Sequence, residues 1–203
     1  MWNYIKDEAI ILKRINYKDA DRILTLYTKN NGKISANARG IRKLLSKKRS
    51  HLELFNYTSV YVIKTGDRHL ITQAELINPF SKLKTDYKLT TWGYYAVEIF
   101  EKMVPEDDNN SIIFDLLHKT LKYIDLYGNP NILNGYNLKL LKILGFYSKS
   151  KSVSDYKMDI EKLTFEEILK LNYPSQLIEK EFGEIRNITE DIIESKIKTD
   201  VIF

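Results

Sequence analysis

The chain has 203 residues, 43% of them hydrophobic and 12% aromatic, which is enough to bury a core and excludes a disordered polymer. It has no cysteine, so disulfides and any cysteine-ligated zinc or iron–sulfur site are excluded. Its net charge is +5, unevenly placed: residues 1–80 carry 15 Lys+Arg against 7 Asp+Glu, whereas residues 81–203 carry 17 against 20. A basic half points to a polyanionic partner and sets a domain boundary near residue 80.

The amino terminus, "MWNYIKDEAIILKRIN", surrounds a short apolar run with charge and lacks the small-residue cleavage site of a signal peptide. Apolar runs elsewhere span a few residues against roughly 20 for a membrane helix, and a cytoplasmic protein is expected. Strands are predicted over Ala9–Ile15, Arg22–Lys29 and Lys33–Gly40, the last two joined by Asn30–Gly32, since an Asn-Gly pair takes the positive φ values of a hairpin. Ile34, Ala36 and Ala38 alternate with Lys33, Ser35, Asn37 and Arg39, giving one apolar face and one polar, basic face. Arg39–Arg49 then holds six positive charges and no acid; by itself such a run is a solvated loop. In it, Leu44 and Leu45 are expected to pin the chain while the charges stay wet. Leu52–Lys64 and Arg68–Leu76 form a second hairpin across Thr65–Asp67. Five strands with the longest connection between the third and fourth fit a small OB-type barrel; an SH3-like barrel fits the pattern almost as well.

After Leu76 the period becomes helical, with Asn78–Pro79 read as N-cap and first helical residue. Trp92, Tyr95, Ala96, Ile99, Phe100 and Met103 mark one buried face; Ile113, Leu116, Leu117, Leu121 and Ile124 mark a second helix ended by Gly128. A third starts at Asn129–Pro130, buries Leu133, Tyr136, Leu140, Leu141 and Leu144, and stops at Gly145. Ser148–Asp155 reads as a polar linker, Thr164 and Glu167 as a capping box, and further helices are expected after Pro174 and Thr189. The fold class is therefore α+β: a five-stranded OB-type barrel over residues 1–79 and an all-helical domain over 80–203.

Catalytic signals are poor. There is no GxxxxGK[ST] phosphate loop and no HExxH motif, and His51, His69 and His118 have no ligand spacing. Asp107–Asp108 and Glu166–Glu167 read as loop solvation and helix capping, because adjacent helical positions diverge by about 100°. No enzyme, cofactor or metal is expected. Binding signals are better. Lys33, Arg39, Arg42, Lys43, Lys47, Lys48 and Arg49 share the third strand and the connection after it; Lys13, Arg14 and Arg22 lie on neighbouring strands, with Tyr27, Tyr57 and Tyr61 interleaved. A cationic groove with aromatic platforms is what a single nucleic acid strand needs. For each tyrosine alone, packing is the simpler explanation.

Several stretches resemble the RecO family of bacterial recombination mediators. Glu8–Lys43 carries Ala20–Arg22, the Thr28…Gly32-Lys33 hairpin and Ala38–Gly40 in the family's order; Leu70–Leu89, Leu140–Phe146 and Lys196–Phe203 are similar as well. The resemblance implies an OB domain followed by helices, binding to single- and double-stranded DNA, ATP-independent strand annealing, and work with RecR to load RecA on strands coated by single-strand-binding protein. By motif it carries the family's binding role onto Lys33 and Arg39. Many members have a four-cysteine zinc module after the "LG[YF]" helix; here Tyr147–Met158 has no cysteine, and the chain is shorter than typical members. The family's "LQPF"-like stretch stands here as Leu52–Phe55, "LELF". The alternative expectation is a non-catalytic adaptor whose basic barrel docks another subunit.

Overall fold

The computed structural model describes residues 3–66, 68–106, 108–147 and 154–203. Met1, Trp2, Asp67, Asp107 and most of the Ser148–Asp155 linker lie outside the described residues. Five strands, β1 (Asn3–Tyr17), β2 (Asp21–Thr28), β3 (Gly32–Ala38), β4 (Tyr57–Thr65) and β5 (Arg68–Asn78), form a closed barrel in the order β1-β2-β3-β5-β4. Closure works because β1 is long enough to serve two neighbours. Its residues 3–10 pair with β4 and residues 9–17 with β2, and a bulge between Ile11 and Lys13 turns the strand from one to the other. The seam is parallel and short, pairing Ala36 with His69 and Asn37 with Leu70. This order settles the choice between barrels in favour of the OB type.

The alternation read in the third strand holds at each position: Ile34, Ala36 and Ala38 are buried and Lys33, Ser35 and Asn37 are not. The core is filled by Ile11, Leu24, Leu26, Ile34, Val60, Val62 and Ile71, joined by Ile41 and Leu52 from the β3–β4 connection. Two strand limits differ from the expectation by more than two residues. β1 begins six residues earlier, and Leu52–Asn56 is turn. There Leu52 and Phe55 are apolar because they plug the barrel, with the Phe55 N–H donating to the Ile11 carbonyl at the bulge (3.0 Å).

At the β2–β3 turn, the buried Asp7 carboxylate accepts the Asn30 backbone N–H (3.0 Å) and the side-chain amides of Asn30 (2.8 Å) and Asn31 (2.7 Å). Gly32 follows at φ +67°, and a Cβ there would lie 2.6 Å from the Asp108 carbonyl oxygen.

The chain divides into two compact units, Met1–Phe80 with Pro105–His118, and Ser81–Val104 with Lys119–Phe203. The first unit thus includes the start of a helix on the barrel. The helices are α1 (Ser81–Thr85), α2 (Tyr87–Met103), α3 (Ser111–Tyr127), α4 (Pro130–Ile143), α5 (Asp155–Lys162), α6 (Phe165–Ile168) and α7 (Ser175–Ile192). The predicted apolar faces of α2 and α3 are buried, as are Leu133, Tyr136, Leu140 and Leu141 of α4. The Thr164–Glu167 capping box is formed, and Asn129 caps α4 ahead of Pro130.

Three helix limits differ. Asn78 ends β5, and its side-chain oxygen accepts the Phe80 N–H (2.9 Å), so the first helix starts at Ser81. α5 was not foreseen; the Ser154 side chain caps it by accepting the Lys157 N–H. No helix starts after Thr189, because its hydroxyl bonds back to the Ile185 carbonyl (2.8 Å) and α7 continues through it. In the second unit, Glu98 accepts the N–H groups of Lys198 (2.7 Å) and Thr199 (2.9 Å) and the Thr199 hydroxyl (2.7 Å). Among the described residues no helix is long and apolar enough to cross a membrane.

Candidate nucleic-acid interface

On the outer face of β2 and β3 lies an open cleft of about 660 Å³, walled by the β1–β2 turn on one side and the start of β5 on the other. The turn contributes Tyr17 and Lys18, with the Lys18 ammonium 5.3 Å from the Tyr17 ring centre. β3 presents Ser35 and Asn37 outward because its other face fills the core, and Arg39 follows at the same parity. The parallel seam sets Arg68 and His69 of β5 beside them. Asp21 accepts the Gly40 N–H (2.8 Å), which fixes the backbone that carries Arg39.

Three cations, Lys18, Arg39 and Arg68, therefore converge on one concave surface with one exposed aromatic face. The Asn37 side-chain Oδ1 is itself buried beneath this surface. Burial, and then the charge of Lys64, hold His69 below the ordinary histidine value, against a raising contact with the Ser35 backbone. The imidazole is therefore neutral at pH 7.

The turn-rich connection after β3 adjoins this cleft. The Arg42 N–H donates to the Ala20 carbonyl (2.9 Å) and its guanidinium to the Lys18 carbonyl (3.4 Å), tying the connection to the cleft wall. Lys43, Lys47 and Arg49 are exposed. Burial, followed by the charges of Arg42 and Arg49, lowers the Arg22 pKa, so positive charge is crowded here.

Other sequence-predicted residues have different partners. Lys48 is half-buried and donates to the Ile71 carbonyl (3.1 Å), clasping the connection to β5. Arg14 and Arg22 share the single carboxylate of Glu53, the latter at 3.2 Å, so both guanidiniums are engaged within the barrel and the cluster keeps one net positive charge. Lys33 sits six residues from Arg39, roughly 20 Å along the strand, and Lys13 is exposed on β1; neither lines the cleft.

Tyr27 is a correction. It is 0% exposed, its ring stacks on Phe114 and its hydroxyl donates to the Asn110 carbonyl (3.3 Å), so no face is open to a base. Tyr57 likewise packs on Phe114 and His118, and the partly buried Tyr61 lies under Lys6. Leu44 and Leu45 are a second correction. They are 91% and 95% exposed, and the pinning falls to Ile41 and Leu52, both 0% exposed.

Tyr17, Lys18, Arg68 and His69 were missed. Each flanks a turn, and only the β3–β5 seam reveals that the two turns share a surface. Of the three histidines, the cleft takes His69 alone.

Two family models match the chain: "Recombination protein O N terminal" over residues 1–80 and "Recombination protein O C terminal" over residues 84–162. Among curated relatives named DNA repair protein RecO, that of Roseiflexus sp. (strain RS-1) is 34% identical over 142 residues, covering 70% of this chain and 50% of the relative. That of Listeria monocytogenes serotype 4a (strain HCC23) is 33% identical over 145 residues, covering 70% and 56%. That of Syntrophomonas wolfei is 26% identical over 144 residues, covering 70% and 58%. The matches thus span about half the length of these relatives.

Proposed function

The chain belongs to the RecO family, and from that premise we propose that its barrel holds nucleic acid strands and promotes their annealing in recombinational DNA repair, without a catalytic step. The observation that carries this reading is the convergence of Lys18, Arg39 and Arg68 with the Tyr17 ring on one open cleft, continued by Arg42, Lys43, Lys47 and Arg49. Phosphates replace water and counterions on these cations, and the released counterions drive association. Two complementary strands brought to one cationic surface repel each other less, and base pairing completes the reaction. The ring of Tyr17 gives an unstacked base a face to lie on.

Lys33 and Lys13 lie off the cleft. Proposed partners are single- and double-stranded DNA, single-strand-binding protein on coated strands, and RecR, with RecA loading as the downstream event. A cytoplasmic location fits these partners. The test is annealing of complementary oligonucleotides, one labelled, with and without single-strand-binding protein. Accelerated annealing without nucleotide triphosphate is expected. No acceleration, together with unchanged oligonucleotide affinity when Arg39, Arg42 and Lys43 are changed to Glu in a folded protein, overturns the reading in favour of a protein-docking adaptor.

A further inference from the structure

The basic connection carries an apolar feature that phosphate binding does not explain. The Ser46 N–H donates to the Lys43 carbonyl (3.0 Å), closing a tight turn whose two central residues are Leu44 and Leu45. Such positions ordinarily take Gly, Pro, Asn or Asp. Here two leucines stand there almost wholly exposed, although Ile41 and Leu52 already anchor the connection at full burial. Each exposed leucine forgoes the free energy of burying its side chain, so a turn built for the fold alone has no reason to carry them.

The tip is also held in place before any ligand arrives. Lys43 donates to the Gly40 carbonyl (3.1 Å), Arg49 to that of Ser46 (3.2 Å) and Leu52 to that of Lys48 (3.1 Å), while Arg42 and Lys48 fasten the base of the turn to the barrel. A pre-ordered apolar tip loses little entropy on binding.

We propose that Leu44 and Leu45 form a wedge that packs against the exposed base faces of an unpaired strand while Arg42, Lys43, Lys47 and Arg49 hold its phosphates. The inference rests on the strand-binding reading above. Charge complementarity selects this occupant. Cations flank the leucines on both sides with no acid between Arg39 and Arg49, and a single strand offers anions flanking apolar faces at nucleotide spacing. An anionic bilayer also pairs anions with apolar matter, but a whole myristoyl chain gives only marginal membrane binding, and two leucine side chains bury less. Apolar side chains that insert between bases are a known device for unstacking them, and unstacked bases are free to find a complement.

The experiment compares the full chain with its Leu44→Ser/Leu45→Ser variant by fluorescence anisotropy. The probes are a labelled oligothymidylate and an abasic strand of the same length and charge; phosphatidylglycerol vesicles form a third arm. The wild type is expected to bind the base-bearing strand roughly tenfold tighter than the abasic one. The variant is expected to bind both at the abasic level with an unchanged salt dependence. Equal wild-type affinity for the two strands, or a variant that keeps the preference, overturns the wedge. Loss of vesicle binding in the variant with the base preference intact assigns the leucines to a membrane and also overturns it. A wild type that binds neither strand fails the strand-binding reading itself, which is a different result from salt-sensitive binding without base preference. Both substituted positions are solvent-exposed, so circular dichroism and thermal melts of the variant should match the wild type.

Discussion

Alanine at Lys18, Arg39 and Arg68 together should flatten the salt dependence of strand binding by a calculable amount. Seven cations face solvent at the cleft and the connection: these three, with Arg42, Lys43, Lys47 and Arg49. Each phosphate contact on a single strand contributes about −0.7 to the slope of log K against log salt, so seven contacts give a slope of about −5 and four give about −3. Between 50 and 200 mM salt the wild type should weaken roughly 900-fold and the triple variant roughly 50-fold. Anisotropy titrations at four salt concentrations measure both slopes. Arg14→Ala is the control. Its guanidinium pairs with Glu53, so its loss should lower stability and leave the slope unchanged. A triple variant that keeps a slope near −5, or an Arg14→Ala variant that flattens it equally, refutes the assignment of phosphates to the cleft.

Gly32→Ala should cost about 2 kcal/mol or more in urea unfolding, since φ +67° is strained for alanine and the new Cβ meets the Asp108 carbonyl oxygen; an unchanged midpoint would show that the 105–118 segment yields freely. His69 gives a pH signature. Burial first, and Lys64 second, depress its folded pKa below the ordinary 6.5. The unfolded chain therefore takes the proton more readily, and this contribution to stability is present above about pH 6.5 and lost as pH falls below it. Thermal melts at pH 7.5 and 5.5 should separate less for His69→Gln than for the wild type. Burial raises the pKa of Glu98, but its hydrogen bonds to Lys198, Thr199 and Lys102 outweigh that and bring it to about 2. Its contribution is thus present above about pH 4.5 and lost as pH falls toward 2, and Glu98→Gln should destabilise the helical unit at pH 7 by about 1–3 kcal/mol, read by amide exchange at Lys198 and Thr199.

Period-two and period-3.6 patterns are local, and the sequence displayed them faithfully. The alternation over Lys33–Arg39 and the apolar faces of α2 and α3 stand as read, and so does that of α4 except at Leu144, which caps the helix and is half-buried. Failures came where one residue type serves two ends. Leu52 and Phe55 are as apolar as strand residues, yet they plug a barrel. Thr189 has the chemistry of a cap and bonds backward inside a helix. Tyr27 has the chemistry of a base platform and is covered by Phe114, more than eighty positions away in the chain. The cleft shows the same division. Arg39 was legible from strand parity, whereas Lys18 and Arg68 meet only through a parallel pairing that local patterning does not encode. Arg14 and Arg22 looked available because Glu53, their shared counter-charge, sits over thirty residues downstream of either.

The parallel seam has a further consequence. β1 holds its neighbours through ladders of eight residue pairs on each side, whereas β3 and β5 meet at two. Opening that seam breaks the fewest backbone bonds of any route into the barrel, so amide exchange at residues 36–39 and 68–71 should outpace the rest of the sheet. The cleft straddles that line, with Arg39 on one bank and Arg68 on the other. A strand whose successive phosphates engage both would act as a suture: it would slow exchange at the seam first, and the barrel's weakest closure would become the reporter of its occupancy.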